Sequence, residues 1–102
     1  MNEDQLYAKL LSKEVGVSFS DIDAFRIFCA FLRSKGVCHK QSVSYYWEKY
    51  KNHLCVTISE LGNFKCGSTD FYEKEGRQIY LYDKKPYIVD IVEEIFYNKE
   101  VM

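Results

Sequence analysis

Residues 21–36 read DIDAFRIFCAFLRSKG, and their spacing decides the class of fold. Apolar side chains recur here every three or four residues and form a stripe too wide for a lightly covered surface helix, which predicts a central core helix. Ser20 and the acids after it suit the start of that helix, where the helix dipole favours negative charge. Gly36 suits the position just after its end. We therefore expect the remaining elements to pack around this helix.

Two further helices are predicted, one before and one after the central helix in the sequence. Residues 3–14 carry apolar side chains at helical spacing, and Gly16 lies near the expected end. Residues 41–51 repeat the pattern, although their tyrosines and valine would also suit a strand. The inward side chains of this third helix are predicted to be Val43, Tyr46, Trp47 and Tyr50. Most of the aromatic cluster in this segment should then be core.

The second half of the chain predicts strands and a last helix. Apolar and polar residues alternate over 54–58, a turn follows at 61–63, and shorter extended runs occur at 64–66, 71–72 and 78–82. After Pro86, helical spacing returns at Ile88, Ile91, Val92 and Ile95. The predicted fold is α+β: three N-terminal helices, an antiparallel meander of three or four strands, and a C-terminal helix packed on one face.

Composition predicts one globular domain over residues 1–102, because 47% of the residues are hydrophobic and 17% are aromatic. The net charge is only -1, but residues 33–53 carry five Lys or Arg against one acid. The chain starts without the features of a secretion signal, and no apolar run approaches the ~20 residues of a membrane span. We therefore expect a cytoplasmic protein that does not bind membranes and keeps its four cysteines reduced.

No catalytic, cofactor or metal motif is recognisable in the sequence. Cys38, His39, His53, Cys55 and Cys66 are residue types that zinc accepts, but their spacing does not match structural zinc sites. A Cys38–His39 pair is weak evidence for a thiol nucleophile, because neighbouring side chains point apart in regular structure. We therefore expect no catalytic residue, no cofactor and no metal, and a binding protein rather than an enzyme.

The leading hypothesis is a small non-enzymatic regulator or inhibitor that docks on a larger protein. Tyr80 and Tyr82 share one face of a predicted strand that could be partly exposed, although burial beneath a helix would be equally ordinary. An acidic helix face is predicted at Asp90, Glu93 and Glu94, with a merely solvated face as the alternative. Size and Lys/Tyr/Ile-rich composition resemble phage or mobile-element accessory proteins, including those that block host nucleases. The partner could itself bind nucleic acid through a basic groove.

The alternative is a nucleic-acid-binding module of winged-helix type that uses residues 33–53. Residues 41–51 would be the recognition helix and the hairpin at 61–63 the wing. The candidate contacts are Lys40, Tyr45, Lys49, Lys51 and His53, which could bind phosphates and stack on exposed bases. Against it, the helix would present Ser44, Glu48 and Lys51 rather than base-reading side chains. A homodimer is a further alternative.

Overall fold

The computed structural model describes residues 1–85 and has an α+β fold, as predicted. The helices of this part are α1 (Glu3–Leu11), α2 (Ile22–Ser34), α3 (Val43–Tyr50) and α4 (Thr69–Lys74), and the strands are β1 (Val15–Phe19), β2 (Leu54–Ile58), β3 (Phe64–Ser68) and β4 (Gln78–Tyr82). A short 3₁₀ turn, Lys51–His53, joins α3 to β2. The predicted C-terminal helix lies outside the described residues.

The four described strands form one mixed sheet in the order β3-β2-β1-β4. β2 pairs antiparallel with both β1 and β3, whereas β4 pairs parallel with β1. The predicted antiparallel meander is therefore wrong. The reason is that α4 separates β3 from β4 along the chain, and β4 lies at the opposite edge of the sheet instead of forming a hairpin with β3.

The predicted order of three successive N-terminal helices is also wrong, because strand β1 lies between α1 and α2. α1 ends at Leu11, three residues before the predicted boundary, and Gly16 lies inside β1 rather than at a helix end. A Cβ added to Gly16 would lie 2.5 Å from the Sγ atom of Cys55, so β2 approaches β1 too closely for a side chain there. All five residues of β1 are buried, and β1 and β2 are the two inner strands of the sheet.

Helix α2 is the core helix that the sequence predicted. Its buried residues are Ala24, Phe25, Phe28, Cys29 and Leu32. The N-cap is Asp21 rather than Ser20, because the Asp21 carboxylate accepts a hydrogen bond from the Ala24 N–H at 2.9 Å. That hydrogen bond lowers the pKa of Asp21. Gly36 follows the helix with φ +83°, as expected for a C′ glycine.

Helix α4 includes residues 71–72, which were predicted to be extended, and turn residues on either side of them. The Ser68 hydroxyl accepts a hydrogen bond from the Phe71 N–H at 3.3 Å and so caps the helix start. At the other end, Gly76 has φ +89°, and the Arg77 N–H donates to the Tyr72 carbonyl at 3.1 Å. Caps at both ends therefore stabilise a short helix despite the strand preference of its two aromatic residues.

Helices α1, α2 and α3 cover one face of the sheet, and the core lies between them and the sheet. Val15, Val17 and Phe19 of β1 point into this core, together with Leu54, Val56 and Ile58 of β2. The opposite face carries Tyr72 of α4, whose ring lies against Gly67 of β3. Within residues 1–85, no helix is long and apolar enough to cross a membrane.

Candidate docking surface

Helix α3 places its aromatic residues as the sequence predicted. Val43, Tyr46, Trp47 and Tyr50 are half-buried and pack against the core. The Trp47 ring stacks on the Phe25 ring of α2, with 6.4 Å between centroids. Tyr45 faces outward and is 49% exposed. The aromatic segment is therefore largely a packing surface that leaves one tyrosine in solvent.

A polar cluster around His39 fixes the loop between α2 and α3. The Nε2 atom of His39 lies 2.9 Å from the Arg33 guanidinium, and its Nδ1 atom lies 2.6 Å from the Gln41 carbonyl oxygen. Because arginine only donates, Nε2 accepts and Nδ1 carries the hydrogen. The imidazole also packs edge-on against Phe64, with 5.8 Å between centroids. The loop is thus attached to the start of β3.

Both ring nitrogens of His39 are engaged in this cluster, so the ring is not placed to act as a base for the neighbouring Cys38. The thiols of β2 and β3 are also unsuited to nucleophilic chemistry, because burial raises the pKa of Cys55 and of Cys66 from 9.0 to about 12. Among residues 1–85, no group of three or more His, Cys, Asp or Glu side chains is placed to hold a metal.

Strand β3 forms one edge of the sheet. The Ser59 N–H donates to the Asn63 carbonyl at 2.9 Å, which fixes the register of the β2–β3 hairpin. Hydrogen-bonded and non-bonded pairs alternate along an antiparallel ladder, so Lys65 and Gly67 direct their backbone groups toward β2. The backbone groups of Phe64 and Cys66 consequently point to the outer side, where no described strand pairs with them.

A groove of about 540 Å³ follows this outer side of β3, and we call it the edge groove. Its lining includes Tyr50, Phe64, Lys65, Gly67, Phe71 and Tyr72. Tyr50 and Phe64 belong to the helix-covered face of the sheet, whereas Phe71 and Tyr72 come from α4 on the opposite face. The open backbone edge is therefore flanked by aromatic rings on both faces.

Tyr72 is the buried part of the α4 wall, and Phe71 is its exposed part. A Cβ added to Gly67 would lie 3.1 Å from the Tyr72 ring, so the absence of a side chain at Gly67 makes room for that ring. Burial raises the pKa of the Tyr72 hydroxyl. Phe71 remains 56% exposed, with its ring edge-on to Tyr72 at 5.1 Å. Phe71 therefore contributes exposed aromatic area beside the outer side of β3.

Two lysines lie beside the edge groove. Lys49 lies on the α3 side, with its Nζ atom 5.4 Å from the centre of the Tyr50 ring, and Lys65 projects from β3 itself. Both side chains are exposed. We call Lys49 and Lys65 the basic rim.

The two tyrosines predicted to contact a partner face the core. Tyr82 is 6% exposed, and its ring lies 5.0 Å from Phe28 and 5.9 Å from Phe19. Tyr80 is half-buried against the same core. The expected exposed tyrosine face is therefore wrong for Tyr82, because the parallel register of β4 with β1 turns it toward the helices. The exposed residue between them is Leu81, at 56%.

The structure describes some of the other predicted contact residues but not all of them. Asp90, Glu93 and Glu94 lie outside residues 1–85. The five candidate nucleic-acid contacts Lys40, Tyr45, Lys49, Lys51 and His53 are all exposed. Sequence reasoning did not identify the edge groove, although the run 67-GSTD-70 combines a glycine, an N-cap serine and a first-turn acid that together indicate a helix start.

In comparisons with protein-family models, with curated proteins and with solved structures, nothing matched this chain.

Proposed function

We propose that this protein is a small non-enzymatic regulator that docks on a larger protein through the edge groove and its basic rim. The observation that carries the proposal is the outer side of β3, with which no strand of residues 1–85 pairs and which is flanked by aromatic rings on both faces. Aromatic residues bury much area at low conformational cost and are enriched at protein interfaces. Phe71 lines the groove and is 56% exposed, and the exposed Tyr45 packs on Tyr46, whose ring contacts Phe64 of the groove.

The chemistry of the described residues supports binding over catalysis. An active site needs convergent polar groups with tuned reactivity. Here the partly and fully buried thiols Cys66 and Cys55 are held protonated by burial, and His39 is committed to Arg33 and Gln41. A non-enzymatic role needs only the surface.

The finer parts of the proposal come from the sequence. They are a cytoplasmic protein, a partner that is inhibited by docking, and an accessory role in a phage or mobile element, for example against a host nuclease. Asp90, Glu93 and Glu94 stay in this proposal as a second, acidic contact with a basic partner. The predicted contribution of Tyr82 is replaced by Phe71 and Tyr45, because Tyr82 is buried.

Affinity purification of the tagged full-length protein from its native cells, compared among variants, tests this function. Phe71→Ala combined with Lys65→Ala should lose a protein that the wild type retains. Leu11→Ala is the matched control, because Leu11 is 50% exposed on α1 and does not line the edge groove. Equal recovery of every protein by all three baits would contradict the proposal, provided that circular dichroism shows each variant folded.

Binding of nucleic acid by residues 33–53 is the second candidate, and the exposure of Lys40, Tyr45, Lys49, Lys51 and His53 favours it. Against it, residues 35–42 separate α2 from α3, whereas a helix-turn-helix uses a turn of about three or four residues. Replacement of Lys49 and Lys51 by alanine should lower both the affinity for a single-stranded oligonucleotide and its salt dependence. No change in either quantity would reject this candidate.

A further inference from the structure

We propose that the outer side of β3 binds an extended, acidic segment of the partner protein as an additional strand of the sheet. This inference rests on the proposed function, because it assigns the binding mode and the chemistry of the partner to the same surface. Its first support is the backbone. The N–H and C=O groups of Phe64 and Cys66 point away from β2, and an added strand would pair with them.

The walls of the edge groove suit the alternating side chains of a strand. Side chains of an added strand would point in turn to the two faces of the sheet. On one face they would meet Tyr50 and Phe64, and on the other Phe71 and Tyr72. Each wall therefore provides aromatic contact for every second residue of the bound segment, while the main chain supplies hydrogen bonds.

Charge determines which strand fits. Lys65 lies in the edge strand itself, and Lys49 lies on the adjacent α3, so acidic side chains would find a cation on either side of the groove. A second copy of β3 would instead place lysines near lysines, which is unfavourable. Lysine on an edge strand is a known protection against self-pairing. The surface thus favours a foreign acidic strand over a copy of itself.

The probe that tests this mode is a labelled synthetic peptide of alternating valine and glutamate, about eight residues long. Fluorescence anisotropy with the full-length protein should give saturable binding with a dissociation constant below about 1 mM. The peptide should also slow hydrogen exchange of the Phe64 and Cys66 amides, measured by NMR. A peptide with lysine in place of glutamate should bind at least about tenfold more weakly.

Cys66→Pro and Cys66→Ala are the matched protein variants. Proline removes an outward N–H without removing a ladder hydrogen bond to β2, whereas alanine removes only the thiol. We expect the proline variant to bind the peptide at least about tenfold more weakly than the alanine variant. If the proline variant does not fold, two peptides replace it, each N-methylated at every second residue. The peptide whose methyl groups block the N–H groups that face β3 should not bind, whereas the other should bind.

Three results would overturn the strand-addition mode. They are no binding of the acidic peptide at about 1 mM, equal binding by Cys66→Pro and Cys66→Ala, or a dimer in light scattering that Cys66→Pro converts to a monomer. Loss of peptide binding with continued Phe71-dependent recovery of a partner would reject this mode and leave the proposed function intact. Loss of both would reject the two together.

Discussion

The two edge strands of the described sheet differ in sequence, and neither presents the surface that its sequence suggests. β4 reads QIYLY and looks like a tyrosine-rich binding face, yet Tyr82 lies in the core and Tyr80 is half-buried. β3 reads FKCGS and attracts no attention in the sequence, yet it lines the groove whose walls are aromatic on both faces. This comparison shows that the elements packed beside an edge strand, here α3 and α4, determine whether that edge lines a groove.

The largest expected effect is at β4. Tyr82→Ala should lower the free energy of unfolding by about 3–5 kcal/mol, because it opens a cavity between Phe19 and Phe28. Leu81→Ala, one residue away and 56% exposed, should change it by no more than about 0.5 kcal/mol. Urea unfolding measures both. Similar losses of unfolding free energy in the two variants would contradict the assignment of Tyr82 to the core and Leu81 to the solvent.

The next largest effect is the difference in stability between proline variants on the two sides of β3. Lys65→Pro removes an N–H directed at β2 and leaves the Thr57 carbonyl unpaired, so it should destabilise the protein by about 2 kcal/mol more than Cys66→Pro. The two positions are adjacent in one strand, and each variant should be referred to its own alanine variant in the same unfolding assay. A larger loss for Cys66→Pro would mean that the outward N–H already has a partner.

A smaller effect compares the centre of the sheet with its edge. Gly16→Ala should cost about 1–3 kcal/mol, because the new Cβ would lie 2.5 Å from the Cys55 sulfur inside a packed core. Gly67→Ala at the edge should cost less, because the Tyr72 ring that it meets at 3.1 Å can shift toward the groove. Adding Cys55→Ala should recover part of the stability that Gly16→Ala loses. A double variant that is no more stable than Gly16→Ala would contradict this explanation.

These variants also define what the sequence could predict. Helical spacing identified α1, α2 and α3, and the C′ glycine identified the end of α2, because apolar stripes and end signals are local. β1 was missed because its alternation covers only five residues, and Gly16 resembled a helix end. The parallel pairing of β1 with β4 joins Val17 to Tyr80, and no local pattern carries that information. Exposure of Tyr45 followed from periodicity, whereas burial of Tyr82 depends on which face the helices cover.

The smallest effect concerns the thiols. Cys38 is exposed, whereas the pKa of Cys66 beside the groove is raised to about 12 by burial. Since the thiolate is the reactive form, only about one in ten thousand Cys66 thiols would be ionised at pH 8. A chromogenic disulfide reagent at pH 8 should therefore label Cys38 before Cys66. Mass spectrometry that finds Cys66 labelled first would contradict this order.

Amide hydrogen exchange along β3 in the free protein tests the central claim most directly. If the outer side of β3 is open, the amides of Phe64 and Cys66 should exchange rapidly while those of Lys65 and Gly67 are protected by β2. This alternation should be visible residue by residue in NMR spectra. Equal protection of all four amides would show that the edge is already paired, and the account of β3 as an open docking edge would then be wrong.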